Sequence, residues 1–311
     1  MGGVKAIAID AYGPADLLTP RELPSPPVGP DTVLVRVRAA GVNPVDWKVR
    51  EGHLAGAFPS HFPLVPGWDA AGVVEAVGPA VAGFAVGDEV IGYVRRDDVQ
   101  HGTYAELVPA PERCLADKPV RASWPEAAGL PLAGLTAYQA LQLARTGAGD
   151  TVLVHGASGG VGHLAVQVAR ALGADRVIGT ASEANHDFVR SLGAEPVAYG
   201  DGLRDRVRAV APDGVDVVLD LFGGDALDVS AELITRPARM MSTADPEHVT
   251  RLGGTYVFVK PSAADLAVLA GLVDAGRLTV HVARTLPLAE AAEAHRLVEA
   301  GHVRGKVVLT V

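Results

Sequence analysis

The sequence predicts an α/β protein in two parts: a doubly wound parallel sheet, and an irregular, mainly β region ahead of it. Three observations carry that prediction. From about Ser123 onward, short apolar strands alternate with helix-length segments, which is the pattern of βαβ units. A glycine-rich turn, Gly156-Ala157-Ser158-Gly159-Gly160-Val161-Gly162, directly follows the apolar run Val152-Leu153-Val154-His155. Ahead of Ser123 the chain is punctuated by Pro24, Pro26, Pro27, Gly29 and Pro30, then by Pro59, Pro63, Pro66 and Gly67.

In the first part, Val33 to Arg38 alternates apolar and cationic side chains, the period of a half-exposed strand. Ala71 to Val77 and Glu89 to Tyr93 read as further strands. A helical stretch then runs from Trp124 towards Ala144. The alternation proper follows: strand Thr151–His155, helix Val161–Leu172, strand Arg176–Thr180, helix Glu183–Leu192, strand Glu195–Ala198 and strand Val215–Asp220. Strands are also expected at Arg239–Ser242 and Thr255–Val259. The tail offers helix Ala263–Ala275, strand Leu278–Val282, helix Leu288–Ala300 and a last strand, Lys306–Val311.

Composition narrows the function. A chain of 311 residues leans towards two domains, and 49% hydrophobic with 20% charged residues is globular. A formal charge of −9 opposes binding to nucleic acid and to anionic membranes. The single cysteine, Cys114, excludes an intramolecular disulfide and a cysteine-rich zinc site, and fits a reducing compartment, so a cytoplasmic location is expected. Met1-Gly2-Gly3-Val4-Lys5-Ala6 lacks the apolar core of a signal peptide, and no apolar run is long and charge-free enough to span a bilayer.

The glycine turn is the most informative segment. Gly159 lets the backbone approach a pyrophosphate, and Gly162 lets the helix pack closely on the strand. The helix N-terminus then supplies free N–H groups and positive dipole to the phosphates. Ala157 stands where the first glycine of a G-x-G-x-x-G fingerprint would be. A tight turn without ligand is the competing reading; the βαβ setting argues against it. The second strand ends in Ala181 and Ser182, with no carboxylate at the position that would bind an adenosine ribose, so NADPH is favoured over NADH. Ser182 supplies a donor there and His186 or Arg190 positive charge, while Glu183 and Asp187 oppose it.

In these residues the chain resembles the medium-chain dehydrogenases/reductases, in their zinc-free quinone oxidoreductase branch. The resemblance rests on the β-rich first part, Leu130 to Tyr138, the glycine turn, and the ending Gly305-Lys306-Val307-Val308-Leu309. It implies a Rossmann-type NADPH-binding domain, 123–285, inserted into an irregular, mainly β (GroES-like) substrate domain, 1–122 and 286–311, with the active site in the cleft between. Zinc alcohol dehydrogenases carry ligands where this chain has Asn43, Trp68 and a residue near Leu132, none of which builds a catalytic zinc site. A metal-free reaction is expected.

Asn43-Pro44-Val45-Asp46-Trp47-Lys48 resembles the corresponding segment of alkenal and enone reductases, which reduce the C=C bond of α,β-unsaturated carbonyl compounds. That resemblance implies Asn43 near the nicotinamide and Lys48 near the substrate carbonyl. Hydride would reach the β-carbon, charge would gather on the carbonyl oxygen, and Lys48 would stabilise it, the α-proton coming from solvent. A solvated lysine on a short helix is the competing reading. Asp46 has two roles open to it: orienting Lys48, or capping that helix. The resemblance further implies Thr136 on the nicotinamide side, Tyr199 at the adenosine end, Phe222 and Val257-Phe258-Val259 walling the nicotinamide, and Lys306 reaching the dinucleotide. His155 and Cys114 read as structural, and Tyr104 and Tyr138 as possible hydroxyl donors near the cleft. A homodimer is expected through the Thr255–Val259 strand. A quinone reductase and an NADPH-binding sensor with little catalysis remain as alternatives.

Overall fold

The structure, a computed structural model, describes residues 3–311. It divides into two compact units. The first takes the chain as far as Leu132, then Pro261–Ala275 and Val280–Val311. The second holds Ala133–Lys260 and Gly276–Thr279.

The first unit is built on a seven-stranded sheet. Its path runs Val282–Pro287, Lys306–Thr310, Thr32–Val42, Asp69–Val77, Glu89–Tyr93 and Leu115–Asp117, and Leu107–Pro111 pairs additionally with Thr32–Val42. All pairs are antiparallel except Val282–Pro287 with Lys306–Thr310. Alternation along Thr32–Val42 buries Val33, Val35 and Val37 and turns Arg36 and Arg38 outward, as the period-2 pattern requires. Two registers matter for the site. Val307 lies opposite Val42, which brings Lys306 beside Asn43. Gly41 lies opposite Asp69. A side chain at Gly41 would meet the Ala128 carbonyl at 2.4 Å and Asp69 Oδ2 at 3.1 Å, so glycine there makes room for a buried carboxylate.

The second unit is a six-stranded, all-parallel sheet ordered Glu195–Ala198, Arg176–Ala181, Thr151–Val154, Val217–Asp220, Met240–Ser242, Thr255–Tyr256. In chain order this is 3-2-1-4-5-6, the dinucleotide-binding arrangement. Strands buried on both faces read as apolar runs, and Leu153, Ile178, Val197, Val218 and Met240 form one core with Leu203, Val207, Leu227 and Val249 from the covering helices.

Several elements differ from expectation for identifiable reasons. The boundaries at 122/123 and 285/286 fall inside the first unit, because helices Trp124–Gly129 and Ala263–Asp274 pack on its strands. The stretch from Trp124 to Ala144 is two helices, Trp124–Gly129 and Pro131–Leu143, since Pro131 has no N–H to continue the ladder. Glu183–Leu192 begins as a 3₁₀ turn over Glu183–Asn185 before helix His186–Ser191, and Leu288–Ala300 likewise opens with Leu288–Glu290. The last sheet strand is only Thr255–Tyr256, although the Val257 N–H still donates to the Ser242 carbonyl. No strand forms over Leu278–His281. Leu278 and Val280 are buried without a ladder, and the strand that pairs with the C-terminus is Val282–Pro287.

Candidate active site

In the second unit, the glycine turn sits at the carboxyl end of Thr151–Val154, where the order of the sheet reverses direction. Its shape is fixed by the neighbouring strand. The Gly156 N–H donates to Thr180 Oγ1 at 3.1 Å, and the Ala157 N–H to the Thr180 carbonyl at 2.9 Å. Gly162 opens helix Gly162–Ala171 under the turn, and a Cβ there would lie 2.0 Å from the Gly156 carbonyl oxygen. Close approach is thus a steric requirement of this turn. Among the described residues the N–H groups of Ser158, Gly160 and Val161 donate to no protein acceptor. Free donors at the start of a ten-residue helix are what a pyrophosphate needs.

Beside the turn, Asn185 Nδ2 donates to Ser158 Oγ at 3.3 Å and to Ser182 Oγ at 3.2 Å. Asn185 was not singled out by the sequence. Its signal was available: an amide one turn past a strand that ends without a carboxylate. His186 is half-buried and its Nε2 has no hydrogen-bond partner, whereas Arg190 is engaged by Asp187 at 2.6 Å. Thr136 is buried on helix Pro131–Leu143. Tyr199, Phe222 and Phe258 expose their rings, at 62%, 82% and 47%. Tyr138 receives a hydrogen bond from Gln142 on the same helix. His155 is buried between Thr180 Oγ1 and Ser230 Oγ, and burial pushes its ring down to about 4, so it is a neutral structural group.

In the first unit, Asn43 caps helix Pro44–Arg50, which carries Lys48. Asp46 reaches back to accept the Asn43 N–H at 2.8 Å and the Tyr104 hydroxyl at 3.1 Å, both on Oδ2. Of its two possible roles, the carboxylate performs the capping one. Asp46 is 1% exposed, its Oδ1 has no partner, and burial pushes its carboxyl up to about 7. Lys48 is exposed, its ammonium 5.7 Å from the centre of the Trp47 ring. The C-terminus of the helix is anchored by Arg50, which is fully buried and donates to Gly13 O, Glu299 Oε1 and Glu51 Oε1.

Lys306 is not turned outward. It is buried and donates to Asn43 Oδ1 and, at 3.2 Å, to the Val42 carbonyl. Asp69 completes the group, accepting Asn43 Nδ2 at 2.9 Å and the Leu132 N–H at 2.8 Å. Burial pushes Asp69 up to about 6 against the pull of Lys306, and pushes Lys306 down against the pull of Asp69 and Asp46. The sequence did not single out Asp69 as functional. Tyr104 is buried in a second chain, with His295 Nε2 3.2 Å from its hydroxyl and Arg50 Nη1 3.2 Å from His295 Nδ1. Cys114 is buried and its thiol is pushed up by burial, which makes it unreactive.

These features are shared with known proteins. A family model described as the alcohol dehydrogenase GroES-like domain matches residues 29–120, and one described as zinc-binding dehydrogenase matches 172–309. The NADPH-dependent alkenal/one oxidoreductase of Arabidopsis thaliana chloroplasts is 36% identical, over 98% of this chain and 79% of that protein. The solved quinone oxidoreductase from Coxiella burnetii is 35% identical and covers 99% of both chains with a TM-score of 0.89. A mycobacterial protein solved with NADPH is 29% identical, covers 99% of this chain and all of that one, and has a TM-score of 0.85. The chain belongs to the medium-chain dehydrogenase/reductase family, in its quinone oxidoreductase branch, and is an oxidoreductase.

Proposed function

We propose that this oxidoreductase uses NADPH to reduce the C=C bond of α,β-unsaturated carbonyl compounds, without a metal and as a cytoplasmic homodimer. The carrying observation is helix Pro44–Arg50, tied at both ends and presenting the exposed cation Lys48. The relative named as an alkenal/one oxidoreductase supports the same substrate class.

The second unit fits the dinucleotide. Ser158, Gly159, Gly160, Val161 and Gly162 form a turn with free N–H groups that a Cβ at 162 would spoil, and Ala157 packs beneath it. Ser182, which shares Asn185 with Ser158, is the proposed partner of the 2′-phosphate, with His186 beside it. Thr136, Tyr199, Phe222 and Phe258 are assigned to the remaining length of the cofactor. The relatives that are named with NADPH favour the phosphorylated form. When bound, NADPH supplies the hydride.

The residues of the first unit handle the substrate. Lys48 binds the carbonyl oxygen and neutralises the charge that develops there, so it favours the transition state over the ground state. Asp46 holds the helix that aims it, and Asn43 fixes the start of that helix. Solvent protonates the α-carbon. Asn43, Trp68 and Leu132 supply none of the ligands of a catalytic zinc site, which supports the metal-free reading. The open outer edge of Thr255–Tyr256 supports dimer formation by strand pairing.

Assay of NADPH oxidation against enones and quinones side by side tests the proposal. Higher kcat/KM for enones is expected. Quinones are the second reading, favoured by the similarity to the Coxiella enzyme, and a preference for them would replace the first.

A further inference from the structure

Two groups that the reaction as described does not use, Asp69 and the ammonium of Lys306, are buried on either side of one amide. Asn43 Oδ1 accepts from Lys306 Nζ at 2.5 Å, and Asn43 Nδ2 donates to Asp69 Oδ2 at 2.9 Å. A cation on the oxygen and a carboxylate on the nitrogen leave the amide a single orientation. The remaining oxygen of Asp69 accepts the N–H of Leu132, in the first turn of the helix that begins at Pro131. Lys306 also holds the carbonyl of Val42, the residue before Asn43. The cation and the carboxylate, joined through the amide, therefore tie together a strand end, the start of helix Pro44–Arg50 and the start of a second helix. Sheet register delivers every member: Val307 opposite Val42, Gly41 opposite Asp69.

We propose that Lys306 and Asp69 are positioning residues of the reductase, a buried ion pair bridged by the Asn43 amide that locks the seat from which Asn43 and Lys48 are presented. This rests on the reading of those two residues given above. A buried ion pair adds little net stability over neutral residues of similar volume, but it enforces one geometry strictly, since either charge left alone is costly. Lys306 must stay protonated for the bridge to hold. The carboxylates facing its ammonium are Asp69, on the neighbouring strand, and Asp46, on helix Pro44–Arg50. Behind them stand the phenols of Tyr93 and Tyr104, both held protonated by burial. His281, whose carbonyl accepts the Lys306 N–H, has its own ring pushed down by burial.

The test compares wild type with Lys306→Met, Asp69→Asn and the double variant. Enone reduction is followed from about pH 6 to about pH 10, with NADPH affinity and melting temperature measured alongside. In wild type, kcat falls on the alkaline side as Lys306 loses its proton. Asp69→Asn removes a carboxylate that favours the ammonium, so the fall moves to lower pH. Lys306→Met abolishes that limb and lowers kcat roughly a hundredfold at neutral pH, with NADPH affinity unchanged. Each single variant melts below the double, because each leaves one charge buried alone. An alkaline limb that stays in place in all variants overturns the proposal. So do melting temperatures that simply add. Absence of any enone turnover in wild type would instead condemn the reductase reading, and the melting temperatures would still decide the ion pair.

Discussion

At the scale of single residues, three positions bear most directly on the proposed reaction. Lys48 is exposed on a helix whose two ends are fastened, which suits a group that must meet a substrate oxygen. Lys48→Ala is expected to lower kcat for enones by roughly 10²-fold while NADPH affinity, measured by fluorescence titration, stays put. Equal loss of both would assign Lys48 to folding or to cofactor binding. Ser182 lies at the end of a strand that lacks the acidic residue of NAD-binding folds. Ser182→Asp is expected to weaken NADPH by at least about tenfold and to leave NADH little changed, since a carboxylate there repels a 2′-phosphate. Unaltered selectivity in steady-state kinetics would place the phosphate elsewhere. Gly162 admits no side chain, because a Cβ would sit 2.0 Å from the Gly156 carbonyl oxygen. Gly162→Ala should therefore cost roughly 1–3 kcal/mol of stability and most of the NADPH affinity, read by melting temperature and titration. A stable variant that binds NADPH normally would mean that the turn is looser than drawn.

At the scale of elements, helix Pro44–Arg50 shows how a cap becomes pH-sensitive. The Asp46 carboxyl stands at about 7 in the fold, above the ordinary value of 3.8. A raised carboxyl stabilises the fold fully below its unfolded value, and that contribution is lost as pH rises from about 4 through about 7. Asp46→Asn keeps the shape and removes the titration. Its melting temperature relative to wild type is expected to be higher at about pH 8 than at about pH 5, by roughly 2–4 °C per kcal/mol of linkage. A constant difference across that range would show that Asp46 is ionised throughout. Strands and helices of the parallel sheet were largely legible in the sequence, because strands buried on both faces leave continuous apolar runs such as Val152 to Val154. The capping role of Asp46 was one of two open readings, and spacing could not decide between them. The buried partnership of Lys306 with Asn43 was not legible at all. It joins residues 263 positions apart, and only the register of the C-terminal strand brings them together. Edge elements were the least legible: Thr255–Val259 is rich in β-formers over five residues, yet only Thr255 and Tyr256 form the strand.

At the scale of the whole molecule, the fold class followed from the alternation after Ser123 and from the glycine turn, and the similarity to solved oxidoreductases agrees with it across the full chain. The extent of each compact unit did not follow, because a helix such as Ala263–Asp274, apolar nearly all round, does not declare the sheet it packs on. No described helix is long and apolar enough to cross a membrane. If the open edge of Thr255–Tyr256 pairs with a second copy, Val257→Pro should yield monomers by light scattering at micromolar concentration, since proline removes the Val257 N–H bond to the Ser242 carbonyl that holds this edge segment on the sheet. A wild type that is itself monomeric there would remove the dimer. The central claim is the site of hydride delivery, and it is tested most directly by supplying NADPH deuterated at the transferred position with an enone and locating the label in the product by NMR. The account predicts a saturated ketone labelled at the β-carbon; label at the carbonyl carbon of an allylic alcohol would contradict it.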